Sequence, residues 1–353
     1  LIGGLAAGLL FVLPGAAVVL GLGVIYGLFG DAPALDAVFL GVKAAVLVIV
    51  VEALLRVANR ALKEADHWAL GGLAFAALFF LDLPFPLVIL AAAGWGFWRG
   101  GAAPAASAPV DPTGHPTGGP ASLGRLARTA ALWAGIWLAP VLLLWLALGD
   151  HLLVEIAIFF SKLAVVTFGG AYAVLAYMAQ DVVNAYGWLT AGEMMDGLGL
   201  AETTPGPLIL VTEFVGFLAA FREGGVWLGI AGAAVTLWVT FAPCFLWIFA
   251  GAPYVEAISG RPRLQGALGG ITAAVVGVIL NLSIWFALNV LFGVVVAEHV
   301  GAARIWTPEL ASFAPSVPGL PPLPGVLLVA PPRTVVCPRA CAAAAGPGRV
   351  APG

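Results

Sequence analysis

Charge is what this sequence has least of. Lys and Arg number 15 and Asp and Glu 18 in 353 residues, so 9% of the chain is charged, against about a quarter in a soluble domain. That excludes an ordinary water-soluble fold. The net charge of -3 and the lack of any basic cluster exclude a nucleic-acid partner, which needs grouped Lys and Arg to neutralise phosphates. Three cysteines and four histidines are too few and too scattered for a disulfide framework or a metal centre. Cys337 and Cys341 lie in a Pro/Gly/Ala tail without a nearby His, and Cys244 sits in an apolar span, where it reads as a small core residue. His67, His115, His151 and His299 fall in loops or at helix ends. No phosphate-binding loop and no HExxH is present, so neither an enzyme nor a cofactor is expected, and the energy for any transport is expected from ion gradients.

What the chain has is hydrocarbon: 62% hydrophobic residues and a mean hydropathy of +1.06. A membrane span needs about 20 mostly apolar residues, and about eight to ten segments qualify as helices or half-helices. Long unbroken apolar runs exclude a barrel, and backbone groups in lipid must be satisfied within their own segment. The expected fold is an all-α polytopic membrane protein, a helical bundle. Spans are read at Leu1 to Phe29, Ala37 to Asn59, Thr129 to Leu148, Val226 to Ala252 and Leu264 to Ala297. Trp68 to Trp98 breaks near Asp82, Pro84 and Pro86 into two short helices. Leu152 to Tyr186 is interrupted at Gly169-Gly170, and Glu193 to Phe221 at Pro205-Gly206-Pro207. The first residues are already apolar and no basic stretch precedes them, which reads as an N-terminal truncation rather than a signal peptide.

Sliding the chain on itself by 229 positions pairs Pro14 with Pro243, Pro33 with Pro262, Gly41 with Gly270 and Ala44-Ala45-Val46 with Ala273-Ala274-Val275. Residues 1–99 then read as the remnant of a first repeat, 100–124 as a flexible linker, 125–300 as a complete second repeat and 301–353 as a disordered tail. The loop with Asp31 and Asp36 matches the loop with Arg261 and Arg263, so the repeats are expected to be inverted, a common plan in secondary transporters. Arg56 to Lys63, Arg99 to Arg128 and Arg261 to Arg263 are expected at the cytoplasmic face, and Asp31, Asp150 and Arg222 outside, with Glu223 balancing Arg222.

Polar groups at membrane depth are costly and suggest function, and residues 160–216 hold most of them. Lys162 is placed either to attract an oxyanion or to snorkel to the interface, and Lys43 either to act or to brace the fold. Gly169, Gly170, Pro205, Gly206 and Pro207 interrupt helices and expose N-termini suited to an anion, although Gly-Gly also suits close packing. Thr203 and Thr204 are placed to donate to a tetrahedral oxyanion. Glu202 and Glu213, about three turns apart, would share one face were the helix continuous; they are the expected proton carriers, Glu202 first, since a carboxyl buried in lipid tends to be neutral, with pairing to a charge in another helix as the alternative for Glu213. Thr190 and Glu193 have capping-box spacing behind an interfacial Trp188. Gln180 and Asp181 are expected at the cytoplasmic mouth, and Glu193 and Asp196 in a solvated helix start.

Phe168-Gly169-Gly170, Trp188-Leu189-Thr190 and Pro205-Gly206-Pro207, in that order, resemble the chromate transporter family of bacterial and archaeal membrane proteins. The resemblance covers Leu123 to Val300 well and Leu1 to Asn59 more weakly. It implies a proton-coupled secondary transporter of the inner (plasma) membrane that exports chromate and confers chromate resistance. Its implied partners are chromate or a sulfate-like oxyanion, protons and the lipid bilayer, and the family's short forms imply a homodimer of the second repeat. The family often has a glutamine where this chain has Glu202, a departure that bears on any general role for that carboxylate. A passive anion channel and a membrane scaffold are the alternatives from other classes.

Overall fold

A computed structural model of the chain describes residues 2–30, 33–100, 123–166, 171–251, 261–292, 295–300 and 303–308. Gly169, Gly170, Asp31, nearly all of the linker, and the tail beyond 308 with Cys337 and Cys341 lie outside the described residues.

The expected bundle is what forms. The helices are α1 (Ile2–Phe29), α2 (Pro33–Ala61), α3 (Ala65–Phe79), α4 (Phe85–Gly100), α5 (Leu123–Leu148), α6 (Leu152–Val166), α7 (Ala171–Gln180), α8 (Ala191–Thr203), α9 (Val211–Gly251) and α10 (Pro262–Leu291). Four stretches, Gly3–Phe29, Leu126–Leu148, Leu208–Gly251 and Pro262–Asn289, are long and apolar enough to cross a membrane. Large apolar side chains such as Leu10, Trp98, Leu146 and Trp227 point outward, where only lipid makes them comfortable. The largest fully buried side chains, among them Ile156, Phe160, Leu175, Met178, Met194, Phe214, Phe217 and Ile279, come from α6 to α10 and the turn between α8 and α9. The chain is therefore an all-α polytopic membrane protein, with α6 to α10 forming its interior.

The last span is shorter than the sequence suggests. α10 stops at Leu291, and Ala297 instead lies in β1 (Val295–Val300), which pairs antiparallel with β2 (Ala303–Pro308), Val295 opposite Pro308 and Val300 opposite Ala303. Gly293 followed by three valines explains the stop, because glycine weakens a helix and β-branched residues favour strands. β2 falls in the segment read from the sequence as tail.

α3 and α4 form the expected hairpin, turning at 80–84 with Asp82 at φ 50. The hairpin clasps α10. A Cβ on Gly96 would strike the Gly266 carbonyl, one on Gly266 would strike the Gly96 carbonyl, and one on Gly277 would strike the Gly71 carbonyl. These helices therefore touch backbone to backbone through small residues four apart, the arrangement that packs helices in lipid. Arg99 pairs with Asp66, and Arg263 lies over the Phe97 ring at 5.7 Å, so the cations of this unit collect at the end away from the turn.

α9 is two helices folded back on each other: a Cβ on Gly216 would strike Thr236, and one on Gly232 would strike the Gly216 carbonyl and Ala220. Gly224 and Gly225 leave helical geometry, Gly225 with φ 72, and divide an inner arm (211–223) from an outer arm (226–251). Cys244, read as a core residue, is exposed on the outer arm.

Candidate functional site

Proline and glycine chemistry places two half-helices back to back. Pro205 and Pro207 have no N–H to donate, and Gly206 takes φ 142, which side-chain-bearing residues rarely adopt, so α8 stops at Thr203. A short 3-10 turn (Leu208–Leu210) then starts α9. The Arg222 guanidinium reaches the Trp188 carbonyl and the Glu193 carboxylate, so the inner arm of α9 returns to the end from which α8 departed. Glu193 of α8 is the ion-pair partner of Arg222, because the hairpin brings α8's first turn beside it. That first turn carries the capping box: Thr190 Oγ1 accepts from the Glu193 N–H at 3.3 Å, and Glu193 Oε2 accepts from the Thr190 N–H at 2.8 Å.

The preceding pair does the same. α6 ends at Val166 and α7 begins at Ala171. Phe159 of α6 faces Tyr177, Tyr186 and Trp188, with centroids at 6.4, 5.1 and 5.5 Å, so α7 runs back along α6. Two hairpins, α6 with α7 and α8 with the inner arm of α9, thus lie side by side.

Their tips meet. The Tyr172 hydroxyl donates to Glu202 Oε1 at 2.8 Å, joining the start of α7, just beyond Gly169-Gly170, to the end of α8, just before Pro205. α7 also touches the 3-10 turn. The positive ends of α7 and α9 consequently lie at one level, which favours an anion there. α1 leans on this centre, since a Cβ on Gly15 would collide with the Pro205 carbonyl and with Leu210.

Other candidate residues are placed less as the sequence suggests. Both threonine hydroxyls turn back on α8: Thr203 donates to the Gly199 and Leu200 carbonyls at 3.0 and 3.1 Å, and Thr204 to the Ala201 carbonyl at 3.1 Å. A helix end leaves carbonyls unpaired, and a neighbouring hydroxyl is their nearest donor. Glu202 and Glu213 do not share a continuous helix, because the break puts them on α8 and α9. Glu213 sits in the first turn of α9, 1% exposed, with Oε2 unbonded. Lys162 is exposed in a groove lined only by α5 and α6 residues, among them Trp137, Leu138, Val141 and Ser161, and none of the other candidates lines it.

A second polar cluster escaped the sequence reading. Lys43 Nζ of α2 stands 3.3 Å from Asp196 Oδ2 of α8, and the Tyr26 hydroxyl of α1 donates to the same oxygen at 2.9 Å. Asp196 is 3% exposed and its Oδ1 is unpartnered, so it is no solvated helix start. α8 dives inward after its capping box and buries its second turn. The available signal was a lone cation and a lone anion in two apolar stretches, which at membrane depth seek each other. Gln180 and Asp181 form a third polar group. They line a cavity beside the α3–α4 turn, at the end opposite Arg99 and Arg263.

The sequence matches the family described as Chromate transporter over residues 1–97 and 154–330. It is 28% identical over 290 residues to the chromate transport protein of Cupriavidus metallidurans, covering 81% of this chain and 65% of that one. It is 33% identical over 291 residues to the chromate transport protein of Pseudomonas aeruginosa, covering 79% and 62%. A probable chromate transport protein of Synechococcus elongatus is 34% identical over 128 residues, 36% of this chain and 30% of the relative. The chain thus spans less than two thirds of the length of the first two relatives. No solved structure matches it significantly.

Proposed function

The chain belongs to the chromate transporter family, and from that premise we propose that it forms the translocation unit of a secondary transporter exporting chromate from the cytoplasm across the inner membrane, driven by protons. The observation that carries the reading is the Tyr172–Glu202 contact, which brings the ends of two broken hairpins together. Gly169, Gly170, Pro205, Gly206 and Pro207 shape the proposed oxyanion site. Thr203 and Thr204 join it once their hydroxyls release the α8 carbonyls. Glu202 at the site and Glu213 just behind it are the proposed proton carriers. Lys162, on the α5–α6 groove, takes no part in that centre.

The inverted repeat remains part of the proposal. Its support is that Pro33 and Pro262 open α2 and α10, while Pro14 and Pro243 lie inside α1 and α9. Export, chromate resistance and pairing of the second repeat with a copy of itself follow from the same reading. Sulfate, with the same charge and shape, is the natural competitor.

Chromate uptake into inverted membrane vesicles, with and without an imposed proton gradient, tests the whole. Saturable, gradient-dependent uptake that sulfate competes for and Glu202→Gln lowers is the expected result. Non-saturable uptake indifferent to the gradient would make the protein a passive channel, and none at all, with the protein in the membrane, would remove the anion.

A further inference from the structure

The α3–α4 turn, α7 and α10 enclose a cavity of about 260 Å³ that the oxyanion proposal does not use. Its polar lining is Asp82, Tyr177, Gln180, Asp181 and Asn281. No Lys, Arg or His lines it, so it is an unfavourable place for a chromate-like dianion. Asn281, one of the lining residues, is 2% exposed, and its Oδ1 has no hydrogen-bond partner. A buried carbonyl oxygen without a donor is costly and needs an explanation. The buried Gln180 Nε2 is unpartnered as well. Turning that amide by half a rotation, an assignment that rests on hydrogen bonding alone, makes the unpartnered atom a second carbonyl oxygen on a lining residue.

The carboxylates are not equivalent. Asp181 is half-buried, bonded to the Tyr177 hydroxyl, and opens the π turn Asp181–Ala185, a rare geometry frequent at functional sites. Asp82 is exposed at the lip, in the left-handed conformation of the turn. One carboxylate within and two amide oxygens give a chamber whose charge a single positive charge balances. A divalent or transition metal is a poorer fit, since among the described residues no three His, Cys, Asp or Glu gather to hold one.

We propose that this cavity is a binding site for a hydrated or partly dehydrated monovalent cation, with Na⁺ as the probe ion, held by Asp181, Asn281 and Gln180 and admitted past Asp82. The site opens at the end opposite Arg99 and Arg263. By the excess of cations at cytoplasmic ends, that is the outer face, from which an inward sodium gradient would load it. Use of the ion beside protons in anion export rests on the transport reading. The site itself does not.

The test is binding of ²²Na⁺ to the purified full chain in lipid nanodiscs, followed by scintillation proximity. Saturable binding that unlabelled Na⁺ displaces and choline does not is the expected result, weakened by about tenfold or more in Asp181→Asn and in Asn281→Leu. Thermal unfolding of each variant shows that it is folded. Absence of saturable binding in the folded parent chain overturns the proposal, and so does full binding in both folded variants. Sodium binding without chromate flux would sink the transport reading and leave this site standing. Chromate flux without sodium binding would do the reverse.

Discussion

Two contacts tie the early helices to the interior, and they are built from opposite materials. Where the α3–α4 hairpin meets α10, glycines bring backbones together, and the stabilisation is dispersion between closely apposed surfaces. Where α1 and α2 meet α8, a lysine, an aspartate and a tyrosine share one buried oxygen. The first contact is non-directional and tolerates no added atom. The second depends on partners and tolerates exchange, since a carboxylate can trade one donor for another. The proposed transport needs both kinds, one to stay fixed and one to be remade. Their placement makes α10 with α3–α4 the frame, and the α6–α9 hairpins the part whose contacts can change.

The largest effect should come from breaking the polar contact on one side only. Lys43→Met leaves Asp196 charged and buried without its cation and should cost about 3–5 kcal/mol, read as a lower thermal unfolding temperature in detergent. Adding Asp196→Leu should restore most of the loss, and failure of that rescue would mean that the pair is not what joins the helices. Next is the packed contact: Gly266→Val should cost about 1–3 kcal/mol by forcing α4 off α10. Gly135→Ala, on α5 with nothing within 4 Å of an added Cβ, is the matched control and should not destabilise. Equal effects at both positions would deny the glycine contact its special role.

Tyr172→Phe sharpens the comparison at the centre. Loss of one hydrogen bond should cost about 1 kcal/mol, while chromate uptake should fall several-fold, because the hairpin tips lose their tie. Normal uptake would detach that contact from function. The smallest effect belongs to Arg222→Gln at the hairpin mouth, a partly exposed pair worth about 1 kcal/mol or less. An effect as large as that of Lys43→Met would move the polar anchor from the interior to the rim.

Local chemistry was legible in the sequence and distant pairing was not. The breaks at Pro205-Gly206-Pro207 and at Asp82-Leu83-Pro84 follow from residues that cannot continue a helix, and Thr190 and Glu193 close their capping box within one turn. Lys43 and Asp196 lie far apart in the chain, and nothing local records that α2 and α8 cross. Thr203 and Thr204 show a subtler limit. Their hydroxyls were counted as free donors, but α8 ends there and its unpaired carbonyls take them first. At the far end of α10, continuous hydrophobicity masked a change from helix to strand that β-branching decided.

The joint at Gly224-Gly225 bears on how the protein answers to its surroundings. Beyond it the outer arm carries Trp227, Trp238 and Trp247 facing outward, and Trp238 is moored to α5 by a hydrogen bond to the Ile136 carbonyl. On the near side, Arg222 fastens the inner arm to Trp188 and Glu193. The joint folds the outer arm back along the inner one, Gly216 meeting Gly232 and Thr236. The outer arm therefore works as a fender: strain from a thicker or thinner bilayer meets it, and its mooring to α5, before it reaches the arm that carries Glu213.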